Sequence, residues 1–340
     1  MLQSVASACR HRGEYFDGHA RVNSMATVSI LIPNYNHAQH LHQSLGGACG
    51  QTRPADEILV IDDGSSDESV AVIEEFAARF PNLRLLRNDR NRGMQYTINR
   101  LLEESRGDYI VCAAADDELY PGFLEAHMAA LSRHPQAGMS VSEYMVLTTT
   151  GRVINQSRMM PGSFGLAHLP EFMPATRLRE EFVDGYVWMT SNAIVARRDA
   201  VQAVGGFIAA QEWHSDWFTY YAVALRHGVC VVPEGLGVIR ESPGGYSGTG
   251  MRDPERQSRV LRAIIDAACT PPNDDLRAIF RCAPGALAVF GTQMAKVLIK
   301  QPRRWDLALA YGSFLVRRYR RIMGLSWPRF FVYGLKRALR

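Results

Sequence analysis

The chain has 340 residues, which bounds it to one large domain or two small ones. Apolar residues make up 47% and charged residues 21%, as in a globular protein rather than a fibrous or disordered one. Net charge is +4, six scattered cysteines show no CxxC spacing, and no apolar run approaches the ~18 residues of a spanning helix; these argue against a zinc site, a disulfide framework and a transmembrane segment, and suit a reducing, cytoplasmic compartment.

Residues 1–24 are polar and aperiodic, which suits a disordered leader before Met25. Val28-Ser29-Ile30-Leu31-Ile32-Pro33 then reads as a buried strand, and Asn34-Tyr35-Asn36 as a turn. A helix is expected around 41–48. Glu57-Ile58-Leu59-Val60-Ile61 is a second strand, closed by Asp62-Asp63-Gly64. Val70, Ile73, Phe76 and Ala77 have helical spacing within 67–80. A strand over 83–86, a helix over 94–105 and the run Asp108-Tyr109-Ile110-Val111-Cys112-Ala113 follow. Such alternation predicts an α/β fold with a mostly parallel sheet.

After residue 137 the pattern changes. Strands are expected over 139–147, from 193 toward a turn near 201, and over 229–232, with an aromatic-rich helix over 216–227. Residues 155–180 look irregular, and 242–254 read as a loop rich in Gly, Ser and Pro. From 255 onward the chain reads as helical. This divides it into a leader, a catalytic-type region over 25–250 with halves near 25–120 and 121–250, and a helical extension over 251–340.

Candidate chemistry gathers at predicted strand ends. Asp116 and Asp117 follow the fourth strand. Adjacent carboxylates repel, so a cation such as Mg²⁺ or Mn²⁺ that also bridges phosphates suits them; capping the helix near Pro121 suits them equally. Asp62 and Asp63 can accept hydrogen bonds from a base or ribose, while Ser65-x-x-Glu68 also reads as a capping box. Arg92 and Gly93 open the third helix, where an anion or a base edge fits. Asp216 opens the aromatic-rich helix and is the candidate general base; a helix-end acid is the plainer reading. His214 has no second histidine at ligand spacing.

In order and spacing, these segments resemble glycosyltransferase family 2, with the GT-A fold, over roughly residues 26–240. The resemblance rests on Ile32-Pro33-Asn34-Tyr35-Asn36, Val60-Ile61-Asp62-Asp63-Gly64-Ser65-Ser66-Asp67 and Asn91-Arg92-Gly93 with Asn99. It continues through Gly107-Asp108-Tyr109-Ile110, Ala115-Asp116-Asp117 with Pro121, Gly205-Gly206-Phe207, and Ser215-Asp216-Trp217 with Arg226-His227-Gly228. It implies an inverting transfer from a nucleotide-sugar, with a UDP-sugar favoured, to a glycan or lipid-linked saccharide acceptor. Pro33, Tyr35, Asp62 and Asp63 would line the base pocket, bordered by Arg92 and Gly93. Asp116 or Asp117 would ligate the divalent metal on the donor diphosphate, and Asp216 would deprotonate the acceptor. The family pattern has Asp at position 114 and Glu at 215, where this chain has Ala114 and Ser215. Those departures keep open an inactive nucleotide-sugar-binding or partner-binding protein.

Residues 296–340 hold twelve Lys or Arg and one acid, Asp306, a tail of net +11 on a body of net −7. Leu287, Val289, Phe290, Leu298, Ile299, Leu307, Leu309, Phe314, Leu315, Phe330, Phe331 and Leu335 interleave with these cations, and Pro302 and Pro328 should separate helices. Basic amphipathic helices of this kind suit an anionic membrane surface, here the inner face of the cytoplasmic membrane. Packing against the catalytic region is the plainer alternative. The acidic body argues against a nucleic-acid partner, despite aromatic residues among the tail's cations. A lid formed by 155–180 and 242–250 beside the site is a further expectation.

Overall fold

The computed structural model describes residues 26–155, 166–185, 187–242 and 244–323. The expected leader, the lid residues Met159, Met160, Pro161 and Phe164, and the tail beyond 323, including Pro328, Phe330, Phe331 and Leu335, lie outside the described residues.

The first half alternates β1 (Val28–Asn34), α1 (Ala38–Cys49), β2 (Glu57–Asp62), α2 (Ser69–Arg79), β3 (Leu83–Arg87), α3 (Met94–Glu104) and β4 (Tyr109–Cys112). The strands are parallel in the order β3-β2-β1-β4. The chain thus steps outward from β1, then returns to lay β4 on β1's other side. A sheet that reverses its order this way opens a crevice at the carboxyl ends of the two strands. The register ends β1 and β2 together, because Asn34 lies opposite Asp62, whereas β4 ends at Cys112 opposite Leu31, short of the end of β1.

The second half adds β5 (Glu118–Leu119), α4 (Phe123–Arg133), β6 (Met139–Leu147), β7 (Val153–Asn155), β8 (Phe172–Met173), α5 (Ala175–Asp184), β9 (Ile194–Arg197), α6 (Arg198–Ala203), α7 (Ser215–His227) and β10 (Val229–Arg240). They extend the sheet as β4-β9-β6-β10-β5. β6 and β10 are parallel, whereas β9 and β5 run against their neighbours. α8 (Tyr246–Met251), α9 (Pro254–Ala267), α10 (Asp275–Cys282), α11 (Gly291–Ile299) and α12 (Trp305–Ile322) complete the described chain.

Strand side chains alternate between two cores, as a period of two requires. Ile30, Ile32, Ile58, Val60 and Val111 pack with Leu41, Leu45, Phe76 and Phe123 from α1, α2 and α4. Leu31, Leu59, Ile61 and Ile110 pack on the opposite face with Leu101 of α3 and Phe218 of α7. Leu261, Ile264, Phe280, Tyr311 and Phe314 belong to that second core, so α9 to α12 continue it. The change near residue 250 is therefore one of secondary structure, not of core.

Several expectations are corrected. β10 does not end at Val232 but runs through two register shifts to Arg240, held by pairing with β6. α6 replaces the expected strand-to-turn passage after Arg197, α5 occupies the end of the supposedly irregular stretch, and α8 lies inside the supposed loop. The capping box is not formed. Ser65 Oγ instead accepts from Asn36 N at 2.9 Å, and the Asp67 carboxylate caps α2 through Ser69 N at 3.0 Å. Among the described residues most of the tail's expected apolar groups are core: Leu287, Phe290, Leu298, Leu307, Phe314 and Leu315 are buried. Among the described residues no single helix is long and apolar enough to cross a membrane. The segments Asp275–Cys282 and Pro284–Ile299 together have the composition, but they bend by 86°.

Candidate active site

The loops after β1 and β2 are tied together side by side. Asn34 Nδ2 donates to Asp62 Oδ1 at 2.9 Å, and Ser65 N donates to Asp62 Oδ2 at 3.0 Å. Asp62 is fully buried, so its carboxylate holds this turn rather than facing the cleft. Gly64 completes the turn at φ 76°, where a Cβ would meet the Arg90 backbone at 2.7 Å. Asp67 Oδ2 also accepts from Ala38 N at 3.0 Å, so one carboxylate serves the first turns of both α1 and α2.

Asp63 organises the next loop. Its Oδ1 accepts from Asn88 Nδ2 at 2.6 Å and from Arg92 N at 2.8 Å, and its Oδ2 accepts from Gly93 N at 2.9 Å. A carboxylate offers about four acceptor sites, so one remains. Gly93 adopts φ 88°, a left-handed conformation that costs glycine little and lets α3 start at Met94. The Arg92 side chain is exposed, bonded to Asp89 at 3.0 Å and stacked 5.4 Å from the Tyr96 ring centre. Tyr35 is exposed beyond the end of β1, and Pro33 is half-buried beside it. Pro33, Tyr35, Asp63, Arg92 and Gly93 thus gather around neighbouring strand ends and the start of α3.

The Asp116-Asp117 turn follows β4. Its backbone is held from two sides: Ala114 N donates to Asn192 Oδ1 at 3.3 Å, and Ser44 Oγ donates to Ala114 O at 3.2 Å. Asp117 Oδ1 accepts from Arg240 N at 2.7 Å. Burial and then the charge of Asp116 push the Asp117 carboxyl up to about 8. The Asp116 carboxylate has no hydrogen-bonding partner among the described residues. Neither acid caps α4, whose N-cap is Gly122 without a side-chain bond. Arg240 supplies a cation here, but its guanidinium bonds the Asp116 carbonyl at 3.1 Å and Gln43 at 2.6 Å, not the carboxylates.

This donor set fits a divalent cation. Neither carboxylate is ion-paired to the Arg240 guanidinium, and burial first, then the charge of Asp116, favours the neutral form of Asp117. An ion of the Mg²⁺ kind takes one or two carboxylates and completes its shell with substrate phosphates, which is the number of carboxylates this turn offers.

Asp216 sits in the first turn of α7. Its Oδ1 accepts from Trp217 N at 2.7 Å, and Ser191 also hydrogen-bonds to its side chain. Burial, the largest influence, raises its pKa above the usual carboxylate range. Ser191 and Asn192 are neighbours in a 3-10 turn over Ser191–Ala193. That turn therefore touches the Asp116-Asp117 loop through Asn192 and Asp216 through Ser191. Asn99 of α3 locks the segment before α7, accepting from Phe207 N at 2.9 Å and donating to Phe207 O at 2.8 Å. His214 is packed against Phe290 and bonded to Gln257 at 3.0 Å, and burial pushes it down to about 4. Burial thus favours its neutral form.

Sequence reasoning missed Arg240, Ser191 and Asn192. The run Leu236-Gly237-Val238-Ile239 before Arg240 was the available signal for a strand continuing past Gly235. Nothing local marks Ser191 or Asn192, because their partners lie far off in sequence.

Known proteins share this chain's sequence pattern and fold. The model of Glycosyl transferase family 2 matches residues 29–205, just over half of the chain. YibD of Escherichia coli K12, described as an uncharacterized glycosyltransferase, is 36% identical over 107 residues; the match spans 32% of this chain and 31% of YibD. Rv1520 of Mycobacterium tuberculosis H37Rv, an uncharacterized protein, is 26% identical over 70% of this chain and 68% of its own. Among solved structures, S. aureus TarS 1–349 in complex with UDP-GlcNAc superposes with a TM-score of 0.61 at 15% identity, over 88% of this chain and 93% of TarS. Mannosyltransferase PcManGT of Pyrobaculum calidifontis, in complex with GDP-Man and Mn²⁺, gives 0.54 at 16% identity over 94% of each chain. These likenesses establish a shared GT-A fold. The chain belongs to glycosyltransferase family 2.

Proposed function

We propose that this protein is an inverting, divalent-metal-assisted transferase that moves a hexose from a nucleoside-diphosphate sugar to a saccharide hydroxyl. One observation carries the reading: the single turn over Ser191–Ala193 braces both the acidic pair after β4 and Asp216. Leaving-group machinery and a base are thereby held in one frame.

In this reading the base of the nucleotide lies against Tyr35 and Pro33, with the 91–93 loop and the remaining acceptor site of Asp63 on its other side. Asp116 and Asp117 would hold the metal, which would supply positive charge against that of the diphosphate. Arg240 adds a fixed positive charge beside the same loop. Asp216 accepts the acceptor hydroxyl's proton. Its raised pKa makes it a better proton acceptor than an exposed aspartate, and such a base contributes about 10² to 10⁴ in rate. One carboxylate acting as base, rather than as nucleophile, corresponds to a single displacement with inversion.

A UDP-sugar is the first donor to test, since TarS was crystallised with UDP-GlcNAc. A GDP-sugar is the second. A glycan or lipid-linked precursor of cell-surface polysaccharide is the proposed acceptor class. The test is a panel of donors with Mn²⁺, read as nucleoside-diphosphate release and as the product's anomeric configuration by NMR. Inversion with at least one donor is expected; retention of configuration would overturn the mechanism.

A further inference from the structure

We infer that the outward face of α12 seats this protein on an anionic lipid surface. This goes beyond the transferase reading and does not depend on it.

α12 carries two apolar stripes. Leu307, Tyr311, Phe314 and Leu315 turn inward and complete the core. Trp305, Leu309, Val316 and Tyr319 follow a second helical spacing that brings them onto one other face. They are 52%, 65%, 38% and 45% exposed. Ile322 and Met323 at the end of the helix are also exposed, as is Ile299 at the end of α11. At 1.5 Å per residue this helix is ~27 Å long. A row of large apolar groups of that length on a helix with aromatic residues near both ends suits the boundary between headgroups and acyl chains.

The charge around the stripe selects the partner. Lys296, Lys300, Arg303 and Arg321 are exposed around these helix ends, and Arg317 and Arg320 are half-exposed along α12. The one acid in the segment, Asp306, is held by Arg277 at 3.0 Å. Arg317 and Arg321 share Asp184, and Arg304 pairs with Asp266. Lys296, Lys300 and Arg303 have no acidic partner among the described residues. A second copy of the chain would bring these same cations face to face. An anionic bilayer offers both an apolar layer for the stripe and charge for the rim. The inner stripe is committed to the core, so the helix lies on the membrane and does not enter it lengthwise.

The experiment is flotation of the full chain with phosphatidylcholine vesicles, with and without about one third phosphatidylglycerol. At low salt the protein should float with the anionic vesicles at least tenfold better than with phosphatidylcholine alone. High salt should reduce this, since exposed charges are screened within a few ångströms. Leu309→Glu with Val316→Glu, and separately Lys300→Gln with Arg303→Gln, should each lower binding at least tenfold. Both pairs are exposed, so thermal midpoints and nucleoside-diphosphate release in solution should stay at wild-type values. Wild-type protein that ignores anionic vesicles, or a Glu pair that floats as wild type does, overturns the inference. Light scattering supplies the other outcome: a wild-type dimer that becomes a monomer in Leu309→Glu would make the stripe a self-interface, and a nucleic acid that binds this face more tightly than the vesicles would overturn the lipid assignment.

Discussion

Asp63→Asn is a sharp test of how the donor loop is built. The Asp63 carboxylate accepts three hydrogen bonds, from Asn88 Nδ2, Arg92 N and Gly93 N, and it is almost wholly buried. All three partners are donors. An amide in its place can keep one oxygen toward Asn88 and Arg92, but its NH2 must then face Gly93 N. Gly93 N has a second acceptor, Asn91 Oδ1 at 2.9 Å, so that donor is not stranded. What is lost is one bond and the charge assistance of two others. Hydrogen bonds to charged groups contribute about 1.5–3 kcal/mol and neutral ones about 1, so one lost bond and two weakened ones sum to roughly 2.5–7 kcal/mol. For a large domain each kcal/mol moves the melting midpoint by about 2–4 °C, so a fall of at least about 5 °C is expected. The same variant frees the loop carrying Arg92, so nucleoside-diphosphate affinity should weaken by about tenfold or more, equivalent to ~1.4 kcal/mol. Thermal melts and calorimetric titration measure the two effects. A variant that melts within about 1 °C of wild type would refute the reasoning, because the three bonds would then contribute nothing.

Three other outcomes follow from the geometry. Asp117 ionises near 8 in the folded chain against 3.8 unfolded, so the folded state holds the extra proton between those values; metal-free stability should fall as pH rises from about 4 to 8, Asp117→Asn should flatten that slope, and a rise across the window would contradict the burial argument. Gly64→Ala places a Cβ against the Arg90 backbone at a left-handed φ, so it should cost about 1–3 kcal/mol in a denaturant melt, and an unchanged midpoint would mean the turn relaxes freely. Arg240→Ala keeps the backbone bond to Asp117 but removes the guanidinium, so diphosphate affinity should drop about tenfold with little change in thermal midpoint, whereas unchanged affinity would confine Arg240 to bracing Gln43.

The alternating strands and helices of the first half were legible because their signals are local. The apolar runs ending at Pro33, Ile61 and Ala113 are short and bounded by polar turns, and each turn carries the acid or aromatic that the strand end presents. Asp216 was legible for the same reason, as the acid in the first turn of an aromatic-rich helix. The Ser65–Glu68 pattern misled because two loops compete for the same groups: Ser65 bonds to Asn36 across the loop pair instead of capping α2. β10 continues past Pro233 because β6 pairs with it beyond two register shifts, a tertiary pairing that overrides the break at Pro233 and of which the run Leu236-Gly237-Val238-Ile239 was the local sign. Arg240 meets the acidic turn across more than a hundred residues, and the Ser191-Asn192 brace depends on β9 lying between β4 and β6. In the tail, composition showed apolar and basic residues but not which stripe of α12 faces inward. Leu307 and Leu309 are two residues apart and end on opposite sides of the surface.

The most direct test of the central claim compares nucleoside-diphosphate release from a donor sugar by wild type and Asp216→Asn, with Mn²⁺ and with excess chelator. Asn keeps the shape of the side chain and the bond from Trp217 N but cannot take a proton. The expected result is Mn²⁺-dependent release by wild type, rising with pH through the raised pKa of Asp216, and a fall of about 10² or more in the variant. Donor affinity should stay within about twofold, because the base does not hold the nucleotide. Equal rates in the two proteins, or full wild-type activity in chelator, would contradict it.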